Sequence, residues 1–194
     1  GRKDPFPGSA TVNGSSMVST TAKMYATVSS TTDGTIEHAI QHPSAIILAQ
    51  GGKSTDWLHY DAGTKMYDNT RWQAEKTMYD PCPPGWRVPD GGDTGVWAKA
   101  MNTIDYQWGY PYDNSNRGID FSNEFGADPS IWYPAAGYNY SGSSVSQAGN
   151  CGYYWSASQT SRGLGYAMVF DSNGIQPARS FDLAAALSVR CCRE

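Results

Sequence analysis

The chain has 194 residues, of which only 16% are charged, and a net charge of −4. That length suits one large domain, or one domain with a short extension, and it can bury a core without help from a metal. No run or stripe of Lys or Arg is present, which argues against nucleic-acid binding, and no apolar stretch reaches the ~18 residues of a membrane-spanning helix.

Residues 1–34 are rich in Ser, Thr and Gly, with short β-branched runs at Ala10-Thr11-Val12 and Tyr25-Ala26-Thr27-Val28. They read as an N-terminal arm or linker, or as one or two edge strands. No signal peptide is visible after Gly1-Arg2-Lys3-Asp4, which says nothing about location. Residues 35–194 read as the domain proper. Thr35 to His42 predicts a short helix, capped by Asp33 or Thr35 and stopped by Pro43, with Ile36, Ala39 and Ile40 on one face. Ile46-Ile47-Leu48 follows as a buried strand. From Trp57 to Tyr79 polar text carries spaced rings (Trp57, Tyr60, Tyr67, Trp72, Tyr79), the pattern of an irregular segment pinned by aromatics.

Asp80-Pro81-Cys82-Pro83-Pro84-Gly85-Trp86-Arg87-Val88-Pro89 is too proline-rich for helix or central strand and predicts a rigid, extended turn. Asp93 is the expected cap of a second helix, whose apolar face holds Val96, Trp97, Ala100 and Met101. Thr103 to Gly152 shows no regular pattern. It is dense in Tyr, Asn, Gly and Pro, and a loop region that long points to function. The end is β. Gly165 to Phe170 predicts a strand, and Asp171-Ser172-Asn173-Gly174 a hairpin turn in which Asn-Gly takes a positive φ. Ile175 to Ala178 starts the return. Leu187 to Cys192 predicts a last strand with Leu187, Val189 and Cys191 on one face.

Four cysteines, Cys82, Cys151, Cys191 and Cys192, favour disulfides and an oxidising compartment over free thiols, and zinc least of all. A bond between the neighbours Cys191 and Cys192 is discounted as a strained ring; the other pairings stay open. No nucleophile elbow, P-loop or zinc-protease motif is present, so no enzyme activity is expected. Asp113, Asn114, Asn116, Asp120, Asn123 and Glu124 are oxygen ligands of the kind calcium takes, but their spacing fits no EF-hand. A solvated loop is the preferred reading, with no metal and no cofactor.

The run Tyr79 to Pro89 resembles the hallmark of the Fibrobacter succinogenes major paralogous domain, a domain that also closes many fimbrillin-like surface proteins of gut Bacteroidales. Trp132-Tyr133-Pro134-Ala135-Ala136-Gly137-Tyr138, Tyr153-Tyr154-Trp155-Ser156-Ala157-Ser158, the ending Leu187-Ser188-Val189-Arg190-Cys191 with Arg193-Glu194, and the helix closing on His42-Pro43 are similar as well. The resemblance covers roughly residues 35–194. It implies an α+β chain with a C-type-lectin-like fold: a small mixed β core with two helices and long irregular loops. It also implies the pair Cys82–Cys191, which leaves Cys151 and Cys192 as the second pair. Some lectin-like relatives in bacteria and phages are diversified by retroelements. The corresponding variable region here is Ser158–Leu187, where Phe181-Asp182-Leu183-Ala184-Ala185-Ala186-Leu187 replaces the family's polar, Asn-rich stretch.

The candidate ligand-binding residues follow from that region. Ser158, Thr160 and Arg162 belong to a polar loop, and Leu164, Tyr166, Phe181, Asp182 and Leu183 add apolar, ring and acidic contacts. Rigid rings beside adaptable polar groups make a paratope-like mix. Tyr138 and Tyr140 are secondary candidates from the central loop. Trp86 and Trp155 are expected in the core, and Arg87 and Arg190 as ties to loop carboxylates. The expectation is an extracellular binding domain of an adhesin, pilus tip or phage particle, displayed at the cell or virion surface. Its partner is a protein or glycan receptor on another cell, with no membrane insertion. The alternative is a structural, pilin-like or cell-envelope subunit whose arm donates a strand to neighbouring subunits of the pilus or particle.

Overall fold

The structure, a computed structural model, describes residues 11–13, 16–18, 25–28, 32–42, 45–48, 71–122, 131–139, 146–160 and 164–194. It is strand-rich, with two short helices and several small open sheets, a small α+β architecture. Upstream, β1 (Thr11–Asn13) and β2 (Ser16–Val18) pair antiparallel. β3 (Tyr25–Val28), helix α1 (Ile36–Gln41) and β4 (Ala45–Leu48) follow, and β3 pairs with β4 in parallel. Parallel neighbours need a crossover, and α1 lies within it. Thr35, not Asp33, caps α1: its side chain accepts from the His38 N–H at 3.1 Å. No residue of α1 is buried, and Ile40 is 74% exposed, so the apolar face read from the sequence is only half covered.

The central stretch carries β5 (Trp86–Arg87), α2 (Val96–Met101), β6 (Gln107–Trp108), β7 (Gly118–Asp120) and β8 (Trp132–Pro134). The last three lie inside the region read as loop. They are two or three residues long, too short for alternation to show. Asp93 is exposed and does not cap α2; the cap is Gly95, with no side-chain bond. A Cβ at Gly95 would overlap the Gly91 backbone, so the close approach excludes a larger capping residue. Asn102 ends the helix in the left-handed region at φ 53°.

The core is built on β9 (Gly152–Gln159), β10 (Gly165–Asp171) and β11 (Gly174–Phe181), which with β6 form an antiparallel sheet in the order β6-β11-β10-β9. On one face Tyr154, Met168, Phe170 and Ile175 pack against Trp97, Ile119, Phe121 and Tyr133 from α2, β7 and β8. On the other, Trp155 and Ala167 pack against Ala185, Leu187, Val189 and Trp72. Hence Ala167 to Phe170 are all buried. The β10–β11 turn closes without a positive φ. The Asp171 carboxylate does that work instead, accepting from the N–H groups of Asn173 (2.7 Å) and Gly174 (3.1 Å).

The tail is not one strand. Ser188 bridges Tyr154 in parallel, and β12 (Cys192–Arg193) pairs with β5. Leu187, Val189 and Cys191 still turn inward, as the alternation requires. Cys82 and Cys191 form a disulfide, 109 residues apart with Cα atoms 5.8 Å apart. Cys151 and Cys192 are free, which corrects the second expected pair. Cys192 follows Cys191 along a strand and so turns to the opposite side, where its thiol meets the Arg87 carbonyl at 3.5 Å. Cys151 stands at the entry to β9, with Gln147 Oε1 4.0 Å from its sulfur. Trp86 is a second correction, being 44% exposed, whereas Trp155 is buried as expected.

Reduction should destabilise the fold by about 4–5 kcal/mol, the chain-entropy value for a loop this long. Guanidinium unfolding of oxidised and reduced protein measures this; equal midpoints contradict it. Thiol titration of the unfolded, unreduced chain should count Cys151 and Cys192 and no more. In Gly152→Ala, the added Cβ would enter the ring of buried Phe170. Overpacking of this kind costs about 1–3 kcal/mol, seen as a lowered unfolding midpoint.

Candidate recognition surface

Of the expected binding residues, Tyr138 and Phe181 meet on the face of the central sheet opposite α2. Period-two alternation on β9 sends Tyr154 to the α2 face of the sheet and Tyr153 and Trp155 to the opposite face, where Trp155 is buried and Tyr153 half-buried. Phe181, at the end of β11, meets both rings edge-on, with centroids 5.6 Å from Tyr153 and 6.4 Å from Trp155. Tyr138 lies 4.6 Å from Tyr153 on the other side. The Arg179 guanidinium sits over Phe181 at 5.2 Å. Half-buried Tyr138, Tyr153 and Phe181 thus form one strip with exposed Arg179.

The backbone holds this strip firmly. Tyr138 exchanges two bonds with Ser146 (3.0 and 2.8 Å), and buried Asn139 exchanges two with Ala186 (3.0 and 2.7 Å). The indole N–H of Trp155 donates to the Ala185 carbonyl at 3.2 Å. Beside the strip, a groove of about 500 Å³ runs between β9, the 183–189 segment and the upstream residues Ile36 and Ala39. Ser158 and Leu183 line it, together with Trp72, Trp155 and Leu187.

The structure therefore brings Tyr138 to Phe181 and Ser158 to Leu183. Several candidates also have local duties. The Ser158 hydroxyl accepts from the Gly91 N–H at 2.9 Å, and the Thr160 hydroxyl accepts from the Leu164 N–H at 3.1 Å, closing the loop between them. Tyr166 packs its ring against Gly92, where a Cβ would touch it. The carbonyl of half-buried Asp182 accepts from the Ala185 N–H at 3.0 Å, turning the chain toward the groove. Arg162 and Tyr140 lie outside the described residues.

Tyr153 and Arg179 belong to the strip but are absent from the sequence-derived set. The signal for each was available. Tyr153 shares a strand face with Trp155, and Arg179 shares one with Phe181, two positions apart.

Burial, then the neighbouring Cys151 and Tyr138, pushes the Tyr153 phenol up to about 12. Burial also raises the thiols of Cys151, with Asp171 adding to it, and of Cys192. Both move away from the thiolate that a nucleophile needs. Arg87 grips Asp90 with two bonds of 2.9 and 2.8 Å, as expected for a tie to a loop carboxylate. Arg190 does not; it donates to the Trp132 carbonyl at 2.7 Å and lies 4.7 Å over the Tyr133 ring. Of the oxygen-ligand cluster, Asn123 and Glu124 lie outside the described residues. Asp113 accepts from the Asn116 N–H, from the Asn116 side chain and from the Ser115 N–H, which together hold its carboxyl below the usual range. Among the described residues no three His, Cys, Asp or Glu side chains are grouped to hold a metal.

Compared with family models, curated proteins and solved structures, the chain matches none.

Because the folded state keeps Tyr153 neutral, its stabilising effect should be complete below the ordinary tyrosine value of about 10 and lost as pH rises toward about 12. The difference in phenolate absorbance between native protein and Tyr153→Phe should show one group titrating late. An ordinary midpoint would contradict the packed strip.

Proposed function

We propose that the chain is a surface-displayed recognition domain with a C-type-lectin-like fold, which binds a protein or glycan receptor without chemistry. The observation that carries this reading is the ring strip of Tyr138, Tyr153 and Phe181 with Arg179, lying beside the Leu183 groove on one sheet face. Half-exposed rings fixed by strands lose little entropy on binding, and an arginine adds directional bonds. Three further features support it. The architecture is a small α+β core wrapped by long irregular segments. A disulfide ties the proline-rich turn to the tail, as the resemblance implies for this fold and as suits an oxidising, extracellular place. Ser158 to Leu187, the stretch a retroelement would diversify, contains Phe181, Arg179 and Leu183.

The structural-subunit reading has one observation of its own. The N-terminal stretch contains strands, and β3 pairs with β4 in parallel. A donated strand from a neighbour would reproduce that pairing between chains.

Labelled oxidised protein titrated onto candidate host cells and onto a glycan array separates the two. Saturable binding is expected, with Phe181→Ala and the exposed-site change Arg179→Glu each weakening it at least about tenfold, or ~1.4 kcal/mol. The Arg179→Glu unfolding midpoint should stay close to that of the parent. Protein that binds no cell or glycan but polymerises with exchange of its N-terminal strands overturns the recognition reading.

A further inference from the structure

A second concave site lies away from the sheet face, on the outside of the β7–β8 ribbon. Its cleft of about 390 Å³ is lined by Tyr110, Tyr112, Asp113, Asp120, Ser122 and Trp132. Ligand pockets begin at roughly 300 Å³, so this one fits a small molecule or one or two units of a chain.

The ribbon register builds the site. Asp120 stands directly opposite Trp132, and Ile119 opposite Tyr133. Alternation sends Ile119 and Tyr133 into the core and leaves Trp132 and Asp120 as a cross-strand pair facing out. The indole rests against the Cα of Gly118, where any Cβ would overlap it. The ring is therefore held in place before a ligand arrives. Tyr112 is anchored from behind, its hydroxyl donating to the Gly149 carbonyl at 2.8 Å. Tyr110 packs against buried Phe121 at 5.5 Å.

The polar groups are equally fixed. Both backbone N–H groups of Ser115 and Asn116 donate to Asp113 Oδ1, and the Asn116 amide donates to Oδ2 at 2.7 Å. Asp120 Oδ1 accepts from the Ser122 N–H at 2.9 Å and from its hydroxyl at 2.7 Å. The Ser122 oxygen, having donated, presents acceptor lone pairs. The Trp132 indole N–H donates to no protein group among the described residues.

This combination selects a ligand class. Two carboxylates repel an anion and are costly to cover with a purely apolar group. A cation would use the carboxylates and the ring but would be opposed by the indole N–H. A sugar ring uses everything. Its C–H face covers an aromatic ring, while its hydroxyls donate to the carboxylates and the Ser122 oxygen and one accepts from the indole N–H.

We propose that the cleft between Trp132, Asp120 and Asp113 is a binding site for a neutral saccharide, of one or two sugar units. It stands on different residues from the sheet-face strip, so either site can fail without the other.

The test is saturation-transfer NMR of the oxidised chain with a panel of neutral methyl glycosides: glucoside, galactoside, mannoside, fucoside and N-acetylglucosaminide. Tetramethylammonium and methyl phosphate serve as charged probes. At least one glycoside should bind with a Kd in the millimolar range. Trp132→Ala should weaken it at least tenfold. Trp132→Phe, which keeps a ring over Gly118 but removes the N–H, should weaken it about threefold and guards against a folding artefact. Phe181→Ala should leave it unchanged. No glycoside signal up to about 50 mM, glycoside binding indifferent to Trp132→Ala, or a cleft that takes tetramethylammonium and no glycoside, would each overturn the proposal.

Discussion

Ala167, Met168, Val169 and Phe170 are buried in succession along β10, so the central sheet must be covered on both faces. One cover is regular: α2 and the β7–β8 ribbon supply Trp97, Ile119, Phe121 and Tyr133. The other has no secondary structure of its own. It consists of the 182–189 segment and Trp72, held to the sheet by Ser188 against β9 and by the Asn139–Ala186 bonds. An irregular cover has few backbone bonds to keep it in place, and its position is fixed by the disulfide that pins Cys191 to Cys82. The strip and the groove are both edges of that second cover. Their geometry depends on a covalent bond between two distant parts of the chain.

The anchor for that bond is itself a polar construction. Asp80 uses one carboxylate oxygen on the Cys82 N–H (2.8 Å) and the other on the Val88 N–H (2.9 Å). The Lys76 ammonium bonds three carbonyls of the same turn, those of Cys82 (2.6 Å), Pro83 (3.2 Å) and Trp86 (2.5 Å). Prolines remove backbone donors, so this stretch has acceptors in excess, and an ammonium with three donors satisfies them. Gly85 takes a φ of 78° to complete the turn. The turn is thus shaped by backbone bonding rather than by packing of its tryptophan, which accounts for Trp86 remaining exposed.

Much of this was legible in the residues, and the failures have physical causes. The two helices, the Asp171–Gly174 hairpin and the inward alternation of Leu187, Val189 and Cys191 follow from local period and turn chemistry. The Asp93 cap failed because capping preference is local, whereas the approach of Gly95 to Gly91 is tertiary. The positive φ expected of Asn173-Gly174 failed because Asp171 supplies an alternative closure through its carboxylate. β6, β7 and β8 were hidden by their shortness. The strip was half legible. Alternation pairs Tyr153 with Trp155 and Arg179 with Phe181, but the meeting of Tyr138 with Tyr153 depends on pairings between distant segments that no local window contains.

The hydroxyls of the candidate set change what kind of recognition the face can perform. Ser158 and Thr160 each spend an acceptor lone pair on the 91 and 164 backbones, which fixes the position of their oxygens. The strip leaves half-buried Tyr138, Tyr153 and Phe181 and exposed Arg179 as its accessible groups. Three of these are rings on or against strands, with few torsions to freeze. On the proposed reading, binding at this face is by preorganised ring area and one arginine, not by a flexible polar loop. The scaffold also explains how such a face tolerates substitution. Tyr154, Met168 and Phe170 of β9 and β10 point the other way, and the disulfide and Asn139–Ala186 bonds hold the backbone, so the exposed position 179 is the most tolerant, whereas Phe181 also packs against buried Trp155 and Ala167. A change at 179 alters the contact surface while leaving the elements that position it intact.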